Sequence, residues 1–243
     1  SELSQYDLLL SSYLSQHEIM RSHVQNYLKS GWLEYFTQGV YKKPKQVLSW
    51  SSALSAVQFQ LDLPVHLAGA SSLAQQGISH YLSFNNENIQ VNSTSSLRLP
   101  KWLTDSNWSL SFKTSKVLDG LEDGDLTEMV VNNQTIKAST IELAVLEVLE
   151  NVNDESSFTF ATELFQGLTS LRPRRLQSLL ERSKVIKVKR LFLFLTHYYH
   201  HPWLKRLDET KIDLGSGKRQ IVKGGTLDKK YLITVPSQFQ LRA

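Results

Sequence analysis

The sequence contains no cysteine. That excludes a disulfide framework, a thiolate zinc site, an iron–sulfur cluster and a thiol nucleophile. Long hydrophobic runs are missing too. The longest purely apolar stretch is residues 191–195, against the roughly 18 residues of a membrane-spanning helix. No apolar stretch near Ser1 fits a signal peptide, so a cytoplasmic protein that touches no membrane is expected. The first residue is Ser rather than Met, which leaves room for native residues upstream. No Gly-x-Ser-x-Gly motif is present, and no repeat of 20–50 residues is visible, so a nucleophile elbow and a solenoid are both unsupported. What remains is ordinary globular composition, 41% hydrophobic and 21% charged. At roughly 150 residues per domain, 243 residues make two domains or one large domain with an appendage.

The net charge of +4 hides an uneven distribution. Residues 167–243 carry 17 Lys and Arg against 5 Asp and Glu, a net of +12. Residues 49–166 carry 5 against 14, a net of −9, and residues 1–48 carry 5 against 4. Two readings fit such a split. One gives the chain a face for a polyanion and another face for something else. The other lays the basic and acidic segments against each other, so that they largely cancel.

Residues 1–45 read as a winged helix-turn-helix. Asp7 is placed to cap a short helix over residues 8–15. Met20, Val24, Tyr27 and Leu28 recur at helical spacing and predict a second helix over about 18–30, stopped by Gly31. Ser15 with Glu18 makes a capping-box pattern at its start. Aromatic and β-branched residues on either side of Thr37-Gln38-Gly39 read as a hairpin. Helix, turn, helix, hairpin is the order of a fold whose second helix enters the major groove. The exposed face of that helix would show Arg21, Ser22, Gln25, Asn26 and Lys29, and Lys42, Lys43 and Lys45 follow in the hairpin. Arg can fork onto guanine, Asn or Gln onto adenine, and Lys can neutralise phosphate. The same residues also suit a plain solvated face.

Residues 46–243 read as a larger mixed α+β domain, acidic over 46–152 and basic over 153–243. Helices are expected over 49–61, 71–76, 143–150 and 160–168, from Pro173 through Leu180, and along the stripe Val185, Val188, Leu191, Phe192 and Leu195. Ser139-Thr140-Ile141-Glu142 looks like a capping box. Strands are expected over 64–69, at 89–91, 97–99 and 108–112 in the strand-like stretch after Tyr81, and over 231–235.

Several groups of residues invite a chemical reading. Gly215-Ser216-Gly217-Lys218-Arg219 is no nucleoside-triphosphate loop, because Leu214 and Arg219 stand where Gly and Ser or Thr are needed. A turn whose amides, Lys218 and Arg219 contact phosphate fits better. His197, His200 and His201 lack the Glu that a metalloprotease helix requires. They equally suit a helix C-terminus, and no metal or other cofactor is expected. Asp119, Glu122, Asp123, Asp125 and Glu128 do not follow calcium-loop spacing and form a solvated loop or a docking surface. Arg172, Arg174, Arg175, Lys187, Lys189 and Arg190 are expected to make one continuous positive face, because the apolar stripe must turn inward; Lys218 and Arg219 extend the set.

Three stretches resemble one family. Gly31-Trp32-Leu33-Glu34 with Gly39-Val40-Tyr41 is similar to the winged-helix signature of AbiEi-type proteins. Pro64-Val65-His66-Leu67-Ala68-Gly69, Ser72-Leu73-Ala74 and Gly77-Ile78 resemble the family's middle segment. Arg172-Pro173-Arg174, Lys187-Val188-Lys189-Arg190-Leu191-Phe192-Leu193, Pro202-Trp203-Leu204, the run 213–219 and Lys229-Lys230-Tyr231 resemble its C-terminal segment. AbiEi-type proteins are the antitoxin and autoregulatory repressor halves of type IV toxin–antitoxin, or abortive phage infection, systems. The resemblance implies a winged helix on operator DNA of the protein's own promoter. It also implies a non-enzymatic antitoxin domain that counters a nucleotidyltransferase-like toxin without a tight complex. Tyr35, Thr37 and Gln38 stand where the family often has Arg, Gly and Arg, Ala70 stands where a basic residue is common, and the start looks short of one helix. The positive face would then be the toxin-opposing surface or a second DNA contact. Two other functions stay open: a protein-interaction module without specific DNA binding, and a nucleic-acid-processing enzyme that tracks substrate along the basic C-terminal segment.

Overall fold

The computed structural model describes residues 5–78, 88–105, 107–168 and 170–239. The strand-like stretch read after Tyr81 lies outside them as far as residue 87. The chain opens with β1 (Leu8–Leu10), α1 (Ser11–Gln16), α2 (Arg21–Lys29), β2 (Glu34–Thr37) and β3 (Val40–Lys42). The strands form an antiparallel sheet in the order β1-β3-β2. This is a winged helix-turn-helix. Residues 8–15 are not one helix. Leu8, Leu9 and Leu10 are all buried and pair with Lys42, Tyr41 and Val40, a strand covered on both faces. Asp7 therefore caps nothing and accepts from Gln46 Nε2 at 2.8 Å and Ser52 Oγ at 3.1 Å. Ser15 and Glu18 form no capping box either. Ser15 lies inside α1, Glu18 turns with a φ of 61°, and α2 begins after Met20 without a side-chain cap.

The middle of the chain holds α3 (Trp50–Phe59), β4 (His66–Leu67), α4 (Gly69–Gln75), β5 (Ile89–Ser93), α5 (Lys101–Thr104), β6 (Leu110–Thr114), β7 (Leu126–Val131), β8 (Gln134–Ser139) and α6 (Ile141–Glu150). The strands form one mixed sheet in the order β6-β5-β4-β8-β7. Residues 97–99 stay outside it. The β7–β8 hairpin turns at Asn132-Asn133, with φ of 49° and 61°, the left-handed pair that Asn tolerates at a tight hairpin. Ser139 does not cap α6, because its hydroxyl is committed to Glu147 at 2.6 Å.

The last third holds α7 (Glu155–Gly167), α8 (Pro173–Arg182), α9 (Ile186–Tyr198), β9 (Arg219–Gln220), β10 (Thr226–Asp228) and β11 (Ile233–Val235). The three strands make a small sheet ordered β10-β11-β9. α9 is not a one-sided amphipathic helix. Every residue from 188 to 196 is buried.

Two hydrophobic clusters organise the molecule. One joins the winged helix to α3 and the five-stranded sheet, from Tyr6 to Ala138. Gln60 helps to weld it, with Nε2 donating to Leu8 O at 2.7 Å and Oε1 accepting from Leu10 N at 2.9 Å. Phe36 of β2 stacks on Trp108 at 5.7 Å, and Trp108 meets Trp102 edge-on. The other cluster gathers α6 to α9 and the small sheet.

Between sheet and helices lies the carboxylate of Glu147, 1% exposed. It accepts from His66 Nε2 at 2.7 Å, Gly69 N at 2.9 Å, Asn92 Nδ2 at 3.1 Å and Ser139 Oγ at 2.6 Å. Gly69 favours that place through its φ of 50°, which L side chains rarely adopt, and a Cβ would also displace the Gln90 side-chain amide. Burial pushes the Glu147 carboxyl up, but charge attraction and hydrogen bonding from His66, with Ser139 and Gly69, outweigh it and hold it below its ordinary value. A depressed folded-state value stabilises the fold above the ordinary carboxylate range, and that contribution is lost as pH falls through the folded value. Glu147→Gln should therefore cost about 3–5 kcal/mol at neutral pH, read from urea unfolding. The variant should also lose less further stability than the wild type on acidification below the ordinary value of 4.5. An unchanged urea midpoint at neutral pH would show that this network contributes nothing net.

Candidate nucleic-acid interface

α2 is seated by Val24, 4% exposed, and by the half-buried Leu28. Gly31, at a φ of 72°, ends it. The Trp32 amide donates to Tyr27 O at 2.9 Å and the Gly31 amide to Leu28 O at 3.3 Å, the paired bonds of a Schellman stop. Arg21, Ser22, Gln25, Asn26 and Lys29 all face solvent. Among the described residues, the side chains of Arg21, Gln25, Asn26 and Lys29 make no bond to the protein. Met20 and Tyr27, read from the sequence as part of the inward stripe, are 68% and 41% exposed instead. The helix is short enough that Val24 and Leu28 alone hold it. Trp32 and Tyr35, 75% and 63% exposed, flank the same region. Sequence reasoning passed over these two, because aromatic residues beside a hairpin read equally well as core.

The hairpin is short and weakly charged. Gln38 and Gly39 form its tip, and Gly39 O accepts from Ser11 N at 2.8 Å, which ties the tip to α1. Lys42 Nζ lies 2.9 Å from Glu34 Oε2 across β2 and β3. The hydrogen bond from Lys42 holds the Glu34 carboxyl below its ordinary range, so the positive charge of Lys42 is countered on the spot. Lys43 is half-buried, its amide donating to Asp7 O at 3.2 Å, while Lys45 is exposed.

The continuous positive face does not form. Arg172 spans the Glu142 carboxylate with Nε at 3.1 Å and Nη2 at 2.7 Å. Arg175 is half-buried, donates to Gly124 O and lies 3.9 Å from Asp125. Lys187 Nζ donates to the carbonyls of Glu150 and Val152, both at 2.8 Å. Lys189 is 2% exposed and Arg190 is 1% exposed. The Arg190 guanidinium donates to Leu214 O, Gly215 O, Gly217 O and Leu232 O at 2.6 to 3.3 Å. Burial pulls Lys187, Lys189 and Arg190 below their ordinary values. The cause is the setting of α9. With neighbours on every side it has no outward face, so its cations must find carbonyls or lie along the core. Of the eight residues in the basic set, Arg172, Arg174, Lys218 and Arg219 are the exposed ones.

Three of the five acids of the acidic cluster are matched in the same way. Asp125, 2% exposed, accepts from Arg182 Nη2 at 2.5 Å. Glu122 lies 2.8 Å from Arg182, Asp119 lies 3.3 Å from Lys184, and Glu128 stands opposite Lys137 in the β7–β8 register. Basic and acidic segments thus lie against each other, the second of the two readings of the charge split. His197 Nε2 bonds Glu209 at 2.9 Å and His201 Nε2 donates to Phe165 O at 2.8 Å. No three metal-ligating side chains gather among the described residues.

Comparison with known proteins decides the family. The model of the AbiEi antitoxin N-terminal domain of transcriptional regulators matches residues 1–84. The model described as transcriptional regulator, AbiEi antitoxin, type IV TA system matches residues 86–236. The chain belongs to the AbiEi family. The fold of this AbiEi regulator is also similar to the crystal structure of the RV2827C protein from Mycobacterium tuberculosis. The two share 15% identity at a TM-score of 0.57, over 93% of this chain and 85% of that one. No curated protein matches.

In the AbiEi chain, Arg190 sits inside one of the stretches by which the sequence resembled the family, and its role there is internal. Arg190→Leu should strand four carbonyls and lower stability by about 2–4 kcal/mol, measured by thermal or urea unfolding. A variant as stable as wild type would show that those carbonyls are satisfied without the guanidinium.

Proposed function

We propose that this AbiEi-family protein represses its own promoter through residues 1–45, with α2 in the major groove of operator DNA. Residues 46–243 oppose a nucleotidyltransferase-like toxin encoded beside it, by countering the toxin's effect rather than by a tight complex. Both roles work by binding, not catalysis, and belong in the cytoplasm. The observation that carries the DNA reading is the outward face of α2, where Arg21, Gln25, Asn26 and Lys29 stand free of protein partners among the described residues. Side chains of these types match the edges of guanine and adenine, and Lys29 with Lys45 can reach phosphate. Tyr27 adds an apolar surface of the kind that meets a thymine methyl. No helix among the described residues is long and apolar enough to cross a membrane.

The toxin-opposing role is assigned to the exposed part of the basic set, led by Arg174, because the winged helix already supplies a DNA module. Arg174 has no ion-pair partner among the described residues, so reversing its charge leaves the fold alone. Arg174→Glu should abolish rescue from a co-expressed toxin while operator binding stays intact. Rescue at wild-type level would remove this surface from the mechanism.

Gel shifts with the native promoter test the DNA reading. Asn26→Ala should cost about 1–3 kcal/mol and relax preference at one base position. Glu34→Gln releases Lys42 and should steepen the salt dependence by about one phosphate contact. An Arg21→Ala/Asn26→Ala double variant that binds the promoter like wild type would rule the assignment out.

A further inference from the structure

The run Gly215-Ser216-Gly217-Lys218-Arg219 carries two of the exposed cations of that basic set, and the fold fixes its place from inside. Arg190 holds three of its carbonyl neighbours from inside, at Leu214, Gly215 and Gly217. Arg219 is left exposed at the rim of a cleft of about 610 Å³, walled by the end of β6, the start of α9 and Thr94. Lys116, Lys184 and Lys187 line the same cleft, against a single acid, Asp119. Asp119 reaches only Lys184, at 3.3 Å, and both side chains are mostly exposed, so that pair is weak. Lys116 Nζ and the Arg219 guanidinium have no acidic partner among the described residues. The hydroxyl side chains of Thr94 and Thr114 complete the wall.

The electrostatics of this cleft are unfavourable as they stand. Val185 and Ile186 of the wall begin α9, whose N-cap makes no side-chain bond and whose first turn holds no acid. The positive end of the helix dipole therefore adds to the cations of Lys116, Lys184 and Arg219, while Lys187 is already met by carbonyls. A multiply charged oxyanion relieves all of these at once, accepting charge-assisted bonds from ammonium and guanidinium groups and neutral ones from hydroxyls.

We propose that this cleft binds a phosphate group, clamped by Lys116, Lys184 and Arg219 and carried by a small phosphorylated ligand. The cleft is open and lined mostly by polar and charged side chains, so it suits the concentrated charge of a terminal phosphate, whereas a duplex backbone supplies the same chemistry spread along a strand.

Calorimetry on the full chain with sodium pyrophosphate and with ATP tests this. Both should bind, and the Lys116→Glu/Arg219→Glu double variant should weaken both by at least about tenfold, with its melting temperature unchanged. Gel shifts with operator and random duplexes separate the sources of phosphate. Unchanged DNA binding in the double variant, with pyrophosphate binding lost, supports a small ligand. A flattened salt dependence on both duplexes, with no pyrophosphate or ATP binding by the wild type, overturns the small-ligand proposal and assigns the phosphate to the DNA backbone. The proposal is overturned if neither probe binds at millimolar concentration and DNA binding is unaltered. It is equally overturned if the double variant binds the probes as tightly as wild type does.

Discussion

Glu147 carries a carboxylate into the interface between the five-stranded sheet and the helices, and the rest of the middle of the fold is arranged around satisfying it. A buried carboxylate without donors costs several kcal/mol. Here the donors come from four places: His66 on β4, the first amide of α4, Asn92 on β5 and Ser139 at the end of β8. Each donor fixes a different element against α6. The left-handed Gly69 begins α4 with its amide donating to the carboxylate. His66 is anchored through Nε2, while its buried Nδ1 has no partner among the described residues.

The same rule, that buried charge must be met, decides where the charge of this protein goes. A segment with a net of +12 and one with −9 would make a strongly polarised molecule if each kept its own surface. They do not. α8 lays Arg175 and Arg182 against Asp125, the loop after it sets Lys184 near Asp119, and Arg172 closes on Glu142. These contacts turn a charge asymmetry along the chain into a set of local pairs. What is left at the surface is sparse. It includes the polar face of α2, Arg174, and the Lys116–Arg219 cleft.

The winged helix is not an appendage on a flexible tether. Phe36 stacks on Trp108, Gln60 ties both sides of β1, and Asp7 bonds Ser52 at the start of α3. The orientation of α2 is therefore set by the body of the protein. The wing carries little free charge, with a neutral Gln38-Gly39 tip and Lys42 matched by Glu34.

Local features were legible in the sequence. The Gly31 stop of α2, the hairpin around Gly39, Pro173 at the first turn of α8 and the helical segments of the last third follow from backbone preferences within a few residues. The α+β class and the family followed from these together with the motif runs. Position along the chain failed where the deciding partner was remote. Leu8–Leu10 became a strand because Val40–Lys42 lies beside it. Arg190 and Lys187 looked like surface cations because nothing near them in sequence is acidic. Their partners are carbonyls 24 to 42 residues downstream and about 35 residues upstream. Asp125 is matched by a guanidinium 57 residues away. Sequence alone determined the elements and the kind of residue each one offers. Only the tertiary structure decided which charges remain free to act, because the cost of burying a charge depends on which distant groups the fold brings within hydrogen-bonding reach.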